Sequence, residues 1–367
     1  MLQPDGIRRE SVRKAEFRQP GFEADFDSST LFYDVILSRH TVWTDLIFVG
    51  PPLLNLLPSF CDGRIGPHPI AATISHYYLR DRCCDVWIPK WNKDAVELTF
   101  DFGSYTLKPE PARNDLYNGR RVLYTLSKDN EVDWIVDWAR FHVCNHGANG
   151  VLIYDNASTR YTGEELEQTL RAAFPGLAVN VVDWPYKYGP EGISKYDGWD
   201  SDFCQAGAFQ DARFRFLEQA SSVLNCDIDE LVLSVNGESV FEATENSPTG
   251  CTMFNGSWIS NATLPANRSG RESSSQIRHR DFRYLERSGP CPMKWCAVPR
   301  LCKREEHWIT HTLAGKDVSA CRSEAFSYRH FRSISTNWKY QRCQPTDVAP
   351  ELHSFDGLLD RFLTRAE

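Results

Sequence analysis

The feature that most constrains the fold is a regular alternation of apolar runs and amphipathic segments between residues 121 and 233. Apolar runs of strand length occur at Val122–Leu126, Val151–Tyr154 and Leu177–Val182. Between them, apolar residues recur at helical spacing, over Val132–Val143 and Leu166–Ala173. Continuous apolar strands that alternate with helices predict a mostly parallel sheet with helices on its faces. We therefore predict an α/β fold for this part of the chain.

Both predicted helices carry signals for their ends. Gly147 suits the left-handed position that commonly follows the last residue of a helix. Thr162 and Glu165 have the spacing of a capping box, which predicts that the second helix begins there. These local signals support the alternation independently of the apolar pattern.

Polar residues come directly after the apolar runs, at the points where the strands should end. They are Ser127, Asn130 and Glu131 after the first run, Asp155 and Asn156 after the second, and Asp183 after the third. Parallel sheets bind ligands at the carboxyl ends of their strands, so these residues are candidate ligand contacts. Asn156 has a structural alternative, an Asx turn. The chain contains neither G-x-G-x-x-G nor a P-loop motif, which argues against a dinucleotide-dependent Rossmann enzyme and a P-loop NTPase.

Three carboxylates stand within four residues, at Asp227, Asp229 and Glu230, between the apolar pairs Val223-Leu224 and Leu231-Val232. In extended backbone, residues two apart point the same way, so the two aspartates would aim at one spot. Such an oxygen-rich pair suits a hard divalent cation. The alternative is an acidic turn between two buried strands, because D-x-D is a common pattern.

Residues 1–118 have a different pattern from residues 121–233. Short candidate strands at Leu31–Leu37, Asp85–Ile88 and Val96–Phe102 are separated by Pro, Gly and Asp clusters, which indicates a β-rich or mixed accessory region. At the other end, Phe355–Ala366 has an amphipathic helical pattern that suits docking to the domain or contact with a membrane surface. We predict an accessory region at 1–118, the main domain at 119–345 and a C-terminal helix and tail at 346–367.

Charge is distributed unevenly. Residues 268–343 hold 16 Lys and Arg against 7 Asp and Glu, in a chain whose formal net charge is −8. A basic segment in an acidic protein favours a local anionic ligand such as a diphosphate over a general nucleic-acid surface. A solvated cationic face is the alternative reading of the same charges.

The chain shows no pattern of secretion or membrane insertion. The twelve cysteines include no C-x-x-C pair, and the first 25 residues are charged and lack an apolar core. The most apolar run, Leu46–Phe60, is interrupted by three prolines. We expect free thiols, no transmembrane segment and a cytoplasmic location.

Several motifs together resemble a known family. They include Lys128-Asp129-Asn130-Glu131, Gly147–Val151, Tyr154–Ser158, Gln205 on a helix, Asp227–Glu230, His279–Phe282, Met293-Lys294-Trp295, His307–His311, Tyr328–Phe331 and Asn337-Trp338-Lys339. In this order they resemble the family 2-like glycosyltransferases of GT-A fold, close to family 92. The resemblance leaves residues 1–118 uncovered.

The resemblance implies a metal-dependent sugar transfer. Asp229 would ligate Mn²⁺ or Mg²⁺, and Asp227 would bind the metal or the hydroxyls of ribose and sugar. His311 is the favoured third ligand, with His307 and His330 as alternatives. Glu230 would orient an arginine or contact the donor sugar, or else form a structural ion pair.

The resemblance also implies a donor site and a base. Residues Ser127–Glu131, Asp155, Asn156, Asp183 and Gln205 would contact the nucleotide, and Arg329, Arg332 or Lys339 would meet its diphosphate. If the reaction inverts the anomeric centre, Asp281 would be the general base, with Glu242 and Glu245 as further candidates.

The expected partners are a UDP- or GDP-linked sugar donor and a glycan or lipid-linked acceptor, with no nucleic acid and with peripheral membrane contact as one option. Two other functions remain open at this point. One is a non-catalytic relative that binds nucleotides or carbohydrates. The other is a metal-dependent nucleotidyltransferase, although the first strand lacks the Gly-rich loop usual in that class.

Overall fold

The computed structural model describes residues 1–39, 43–74, 76–79, 81–190, 200–263, 277–336 and 346–366. The chain forms two compact units. Unit 1 contains Met1–Leu116 and Trp184–Glu218, and unit 2 contains Tyr117–Asp183 and Gln219–Glu367. These units divide the chain differently from the domain boundaries that we predicted at 118 and 345. The predicted boundaries stay predictions.

The described strands are β1 Asp34–Arg39, β2 Thr44–Gly50, β3 Arg64–Ile65, β4 His68–Pro69, β5 His76–Leu79, β6 Cys84–Ile88, β7 Val96–Phe100, β8 Gly103–Leu107, β9 Glu110–Pro111, β10 Arg121–Ser127, β11 Gly150–Asp155, β12 Ala178–Asp183, β13 Ser222–Asn225, β14 Glu230–Ser234, β15 Cys251–Ile259, β16 Tyr284–Glu286, β17 Cys291–Ala297, β18 His307–Ile309, β19 Thr312–Ala314, β20 Phe326–Phe331 and β21 His353–Phe355.

The described α-helices are α1 Phe22–Asp25, α2 Leu57–Asp62, α3 Ile70–Thr73, α4 Val132–His146, α5 Gly163–Ala173, α6 Phe203–Ala212, α7 Val240–Asn246, α8 Val318–Cys321 and α9 Gly357–Ala366. A π-helical turn, Arg213–Leu217, continues α6. Over the described residues, no helix combines the length and the apolar character that crossing a bilayer requires.

Unit 1 is built from two small sheets. One has the strand order β5-β6-β2-β1-β9 and the other β4-β3-β7-β8. Alternate residues of β7 are buried, the pattern of a strand with one face in a core and one in water. The strands expected near Leu31–Leu37, Asp85–Ile88 and Val96–Phe102 are therefore present as β1, β6 and β7.

Unit 2 contains a large mixed sheet in the order β12-β11-β10-β13-β17-β15-β16-β21, to which β14 and β20 are joined through β15. The first four strands are parallel, and β13 then pairs with β17 in the antiparallel direction. Strand β20 runs parallel to β15 and antiparallel to β14. The α/β class that the alternation predicts is confirmed, with a parallel half and a mixed half.

The helix ends agree with their sequence signals. Gly147 follows α4 with φ 71°, and its N–H bonds to the carbonyl of Val143. At the start of α5, the Thr162 hydroxyl accepts from Glu165 N–H while the Glu165 carboxylate accepts from Thr162 N–H. Both helices bury their apolar faces in the core of unit 2.

Helix α9 packs onto unit 2 through an apolar face. Leu359, Phe362 and Leu363 are buried in the same core as α4. The Asn145 side chain of α4 donates to the carbonyl of Phe362 at 3.2 Å. The C-terminal helix is therefore docked on the sheet domain, one of the two roles that its amphipathic pattern suits.

Candidate functional site: a carboxylate and histidine cluster

The acidic motif forms a turn between β13 and β14. Glu230 N–H donates to the carbonyl of Asp227 at 3.0 Å, and Asp227 N–H donates to the Glu230 carboxylate at 2.9 Å. The backbone is therefore the acidic turn and not an extended segment. As a result the two aspartates point to different partners, and each has to be considered separately.

Asp229 meets a histidine from a distant strand. Its Oδ2 lies 3.0 Å from His330 Nε2, and His330 Nδ1 lies 3.8 Å from Glu230 Oε1. Antiparallel pairing of β14 with β20 places Glu230 directly opposite His330, which brings the imidazole to the turn. The ligand atoms of Asp229, Glu230 and His330 all lie within 4.8 Å of one another. Carboxylate oxygens and an imidazole nitrogen are donors that fit Mn²⁺ or Mg²⁺.

The structure places His311 and His307 elsewhere. His311 is exposed on the turn after β18, where its Nδ1 lies 3.2 Å from the carbonyl of Met293. His307 is buried within β18. In the part of the chain that the structure describes, the cluster with metal-ligand geometry contains His330, and neither of these two histidines nor Asp227 belongs to it.

Asp227 is bound to a buried lysine to which the sequence assigned no role. Lys294 Nζ donates to Asp227 Oδ2 at 2.6 Å and lies 3.0 Å from Glu230 Oε2, with its side chain 0% exposed. Lys294 belongs to β17, between buried Trp295 and half-buried Met293. A lysine within an apolar strand was the signal that could have revealed it, because a lysine is almost never fully buried unless it is paired.

Burial and charge pull the pKa values of this cluster apart. Burial raises the pKa of Glu230 to about 7, although the Lys294 ammonium opposes this shift. Burial would lower the pKa of His330, but the neighbouring Asp229 carboxylate outweighs it and raises that pKa to about 10. For Lys294 the same competition ends with a pKa above its usual range, since Asp227 and Glu230 both favour the ammonium form. A cation that binds at His330 Nε2 would therefore displace a proton.

An aromatic ring fixes the position of His330. Trp258 stacks on the imidazole with 4.1 Å between the ring centroids and 24° between the planes. The Arg332 guanidinium carbon lies 3.9 Å from the centroid of the same indole, and its Nε donates to Glu286 at 2.8 Å. The Trp258 ring is thus in contact with two basic side chains, one of which belongs to the cluster.

The predicted polar residues at the ends of the parallel strands do lie side by side. The strand register pairs Ser127 with Asp155, and Asp155 with Asp183. Asn130 donates to the Ser127 hydroxyl at 2.9 Å, and Asn156 N–H donates to the Ser127 carbonyl at 2.8 Å. Burial raises the pKa of Asp155, whose carboxylate accepts from Ser158. The three strand ends therefore form one continuous polar edge.

With this geometry in view, the comparison with known families is decisive. Residues 127–356 match the sequence profile described as glycosyltransferase family 92. The chain belongs to glycosyltransferase family 92. The match begins at the first residue of the polar edge and ends at the residue before α9. Family membership places this chain among the glycosyltransferases of family 92, and unit 2 has the mixed α/β architecture expected from the sequence.

Solved structures give weaker comparisons. The first is WbbM, a bifunctional glycosyltransferase in its apo form, at 13% identity and TM-score 0.28, covering 44% of this chain and 27% of that chain. The galactosyltransferase LgtC with donor and acceptor sugar analogs matches at 13% identity and TM-score 0.29, covering 67% of this chain and 95% of that chain. An active-site mutant of LgtC matches at 12% identity and TM-score 0.27, covering 65% and 87%.

The family assignment rests on the sequence match over residues 127–356. This family 92 chain spans about a quarter of the length of WbbM. Among curated protein sequences, none shows significant similarity to it.

The remaining candidate residues of this family 92 chain have structural partners of their own. Arg329 is buried and forms an ion pair with Asp356, the residue that caps α9. Glu131 pairs with Arg160 at 2.5 Å. Their roles toward a ligand stay predictions.

Three more candidates, Asp281, Gln205 and Lys339, lie in different parts of the chain. The Asp281 carboxylate accepts from Arg278 N–H at 2.8 Å. Gln205 lies in unit 1, on helix α6 as expected, and accepts from the Tyr188 hydroxyl at 3.0 Å. Lys339 falls outside the described residues.

Proposed function

We propose that this family 92 chain is a metal-dependent glycosyltransferase that moves a sugar from a UDP- or GDP-linked donor to a hydroxyl group of a glycan or lipid-linked acceptor. The observation that supports this most is the contact of Asp229 Oδ2 with His330 Nε2, next to Glu230. Pairing of β14 with β20 brings these residues together, although Asp229 and His330 are 101 positions apart in the sequence. Cation and nucleotide would bind at the carboxyl ends of the strands, as is usual in open α/β sheets.

Asp229 and His330 are the proposed ligands of Mn²⁺ or Mg²⁺. When bound, such an ion neutralises the charge that develops on a leaving diphosphate, which lowers the barrier by several kcal/mol. The chain's own contribution is to hold both ligand atoms in place. Glu230 anchors the turn through Asp227 N–H, and Trp258 fixes the imidazole plane.

Asp227 has a different proposed role. Its Oδ2 is engaged by the Lys294 ammonium at 2.6 Å, yet its side chain is still 32% exposed. The carboxylate can therefore accept a hydrogen bond from a hydroxyl of the donor ribose or sugar, while Lys294 compensates its charge. We accordingly assign Asp227 to donor binding and leave it out of the metal ligands.

The polar edge is the proposed site of the nucleoside. Ser127, Asp155 and Asp183 stand in one row, and Asn130 and Asn156 are bonded to the first of them. Hydroxyl, carboxylate and amide groups in this arrangement offer both donors and acceptors to a base and a ribose. We keep Glu131 as a further proposed contact, and the role of Gln205, in unit 1, stays a prediction from the sequence.

For the diphosphate we propose Arg332 along with Arg329 and Lys339. Arg332 suits the role best, because its guanidinium lies one aromatic ring away from His330 and keeps about a third of its side chain exposed. Asp281 remains the proposed general base for the acceptor hydroxyl. Glu230 is 1% exposed, so we propose that it positions the turn and does not touch substrate.

A donor screen tests the reaction. The chain is incubated with UDP- and GDP-linked sugars and a mixture of oligosaccharide acceptors, with Mn²⁺, with Mg²⁺ or with EDTA, and released nucleoside diphosphate is measured. We expect release that requires the acceptor and is abolished by EDTA. Release that persists unchanged in EDTA would contradict the metal role. Thermal stabilisation by UDP or GDP without turnover would favour a binding protein over an enzyme.

A pair of histidine variants tests the metal assignment. His330→Gln removes the imidazole that contacts Asp229, whereas His311→Gln removes an exposed histidine outside the cluster. We expect the first variant to weaken Mn²⁺ binding by ten-fold or more, measured by calorimetry, and the second to leave it unchanged. The reverse pattern would transfer the ligand role to His311, the histidine that the sequence favoured.

A further inference from the structure

A cavity lies in unit 2, outside the Asp229–His330 cluster. It has a volume of about 360 Å³ and is bordered by α4, α9, the start of β14 and the short 3-10 turn at His279–Asp281. Cavities of this size are in the range that holds small organic ligands. Its floor is apolar and consists of the buried side chains of Phe141, Leu231 and Leu363.

The rim of the cavity is cationic. Arg140 and Arg280 line it and are exposed, whereas Arg278 is engaged by two carboxylates, those of Asp137 at 2.5 and 2.6 Å and of Asp133 at 2.9 Å. The Arg140 guanidinium is held over the Phe174 ring at 5.4 Å. Across the described parts of the chain, the Arg280 guanidinium makes no hydrogen bond or ion pair. Two guanidinium groups are thus available to an anion, and guanidinium matches phosphate and carboxylate in shape and charge.

One polar atom in the cavity wall has no hydrogen bond. His279 is 1% exposed, and its Nε2 lies 2.9 Å from the carbonyl of Ile228, so Nε2 carries the proton. Nδ1 is then an acceptor, and it has no partner among the described residues. The ring packs edge-on against Phe331 with 5.1 Å between centroids. A buried acceptor without a donor is unfavourable, and a ligand hydroxyl that donates to it would remove this cost.

We propose that this cavity is a second ligand site, which binds a small hydroxylated anion such as a sugar phosphate. The phosphate meets Arg140 and Arg280 at the rim, a hydroxyl donates to His279 Nδ1, and the apolar face of the sugar ring covers Phe141 and Leu363. The site is separate from the Asp229–His330 cluster and needs no metal. It therefore stands whether or not the proposed sugar transfer is correct.

The test uses glucose 6-phosphate as the probe, with glucose and inorganic phosphate as partial probes. Binding to the full chain is measured by calorimetry in EDTA, so that phosphate cannot bind through a metal ion. We expect saturable binding of glucose 6-phosphate, with both partial probes at least ten-fold weaker, because each lacks one of the two polar contacts. Absence of saturable binding would overturn the proposal, and equal affinity for inorganic phosphate would overturn the role of His279.

A matched pair of arginine variants locates the binding. Arg280→Gln removes a guanidinium of the rim that has no partner in the described chain, so the fold should be unaffected. Arg361→Gln removes an exposed arginine of α9 that does not line the cavity. We expect the first variant to bind glucose 6-phosphate about ten-fold more weakly and the second to bind it as the wild type does. Equal affinity of the two variants would place the probe elsewhere and overturn the site.

A spectroscopic measurement is independent of both variants. The ¹⁵N resonance of His279 Nδ1 reports an unprotonated nitrogen without a hydrogen bond, and a hydroxyl that donates to it shifts this resonance. We expect the shift to saturate with the same concentration dependence as the calorimetric binding. An Nδ1 resonance that stays fixed while glucose 6-phosphate binds would exclude the proposed hydroxyl contact.

Discussion

Replacing Lys294 by methionine should destabilise unit 2 strongly, and increasingly at high pH. The substitution keeps the buried volume but removes the ammonium that lies 2.6 Å from Asp227 and 3.0 Å from Glu230. Glu230 is 1% exposed, so its carboxylate loses its counter-charge without gaining water. Breaking a buried pair in this way destabilises proteins by about 3–5 kcal/mol.

The pH dependence follows from Glu230. Its pKa is already raised to about 7 by burial, and loss of the ammonium raises it further. A carboxyl whose folded-state pKa lies above its unfolded value lowers stability as pH rises, until the folded pKa is passed. In the wild type, the loss of stability caused by Glu230 ends near pH 7. In Lys294→Met, this loss continues to higher pH. The difference in unfolding free energy should grow by about 1.4 kcal/mol per pH unit above 7.

Urea denaturation at pH 6, 7 and 8.5, followed by circular dichroism, measures this difference. The Glu230→Gln substitution serves as the control, alone and combined with Lys294→Met, because the amide carries no charge to be neutralised. We expect the double variant to recover most of the stability at pH 8.5 and to lose the extra pH dependence. A loss below about 1 kcal/mol for Lys294→Met, or a loss independent of pH, would refute the ion-pair reasoning.

Three further perturbations have defined outcomes. Burial lowers the pKa of His142 to about 3 and of His146 to about 4, so the stability that the two neutral rings contribute is fully present above their unfolded pKa of 6.5 and is lost as the pH falls below it. Calorimetry or urea titration at pH 5 should show an unfolding free energy that is lower by about 4 kcal/mol because of this pair. The loss of stability in acid should be smaller in His142→Asn. Gly256→Ala would drive a methyl group into the Tyr328 ring and should lower the unfolding free energy by about 1–3 kcal/mol; an unchanged urea midpoint would contradict this packing. Asp356→Ala removes the cap of α9 and leaves a buried arginine unpaired, so amide hydrogen exchange in α9 should rise far more than in α5.

Acid should destabilise unit 2 by protonating the buried rings of His142 and His146. His142 Nδ1 lies 2.8 Å from the carbonyl of Trp138, so it carries the proton and Nε2 accepts from Val232 N–H at 3.3 Å. His146 is bonded in the same manner, with Nε2 at the carbonyl of Val232 and Nδ1 accepting from Val240 N–H. A second proton on either ring would face an N–H group, which explains why both stay neutral.

Much of the parallel half of unit 2 could be predicted because its signals are local. The apolar runs give β10, β11 and β12, and Gly147 and the capping box at Thr162 give the helix ends within a residue. The row of Ser127, Asp155 and Asp183 followed from the rule that parallel strands end at one edge. Each of these inferences uses residues that are close in sequence or a general property of sheets.

The Asp229–Glu230–His330 cluster could be predicted only in part, because it depends on strand pairing over a long separation. Asp229 and His330 are 101 residues apart, and no periodicity in the sequence reveals that β14 pairs with β20. The sequence therefore favoured His311, whose spacing from His307 suits one face of a helix, whereas His307 lies in a strand. Lys294 was missed because its partner carboxylates are again brought close by a distant pairing, that of β13 with β17.

The register of β14 against β20 decides which side chain lies opposite Glu230, and in this structure it is His330. Insertions between the two strands, anywhere in the connecting segments, leave His330 opposite Glu230 as long as the ladder itself is unchanged. A deletion of one residue inside β20 would shift the ladder and bring Arg329 or Phe331 to that position. The imidazole that we propose as a metal ligand would then be replaced by a guanidinium or by a phenyl ring. Changes of length in the loops are thus compatible with the proposed metal site, whereas a shift of one residue in this ladder would remove it.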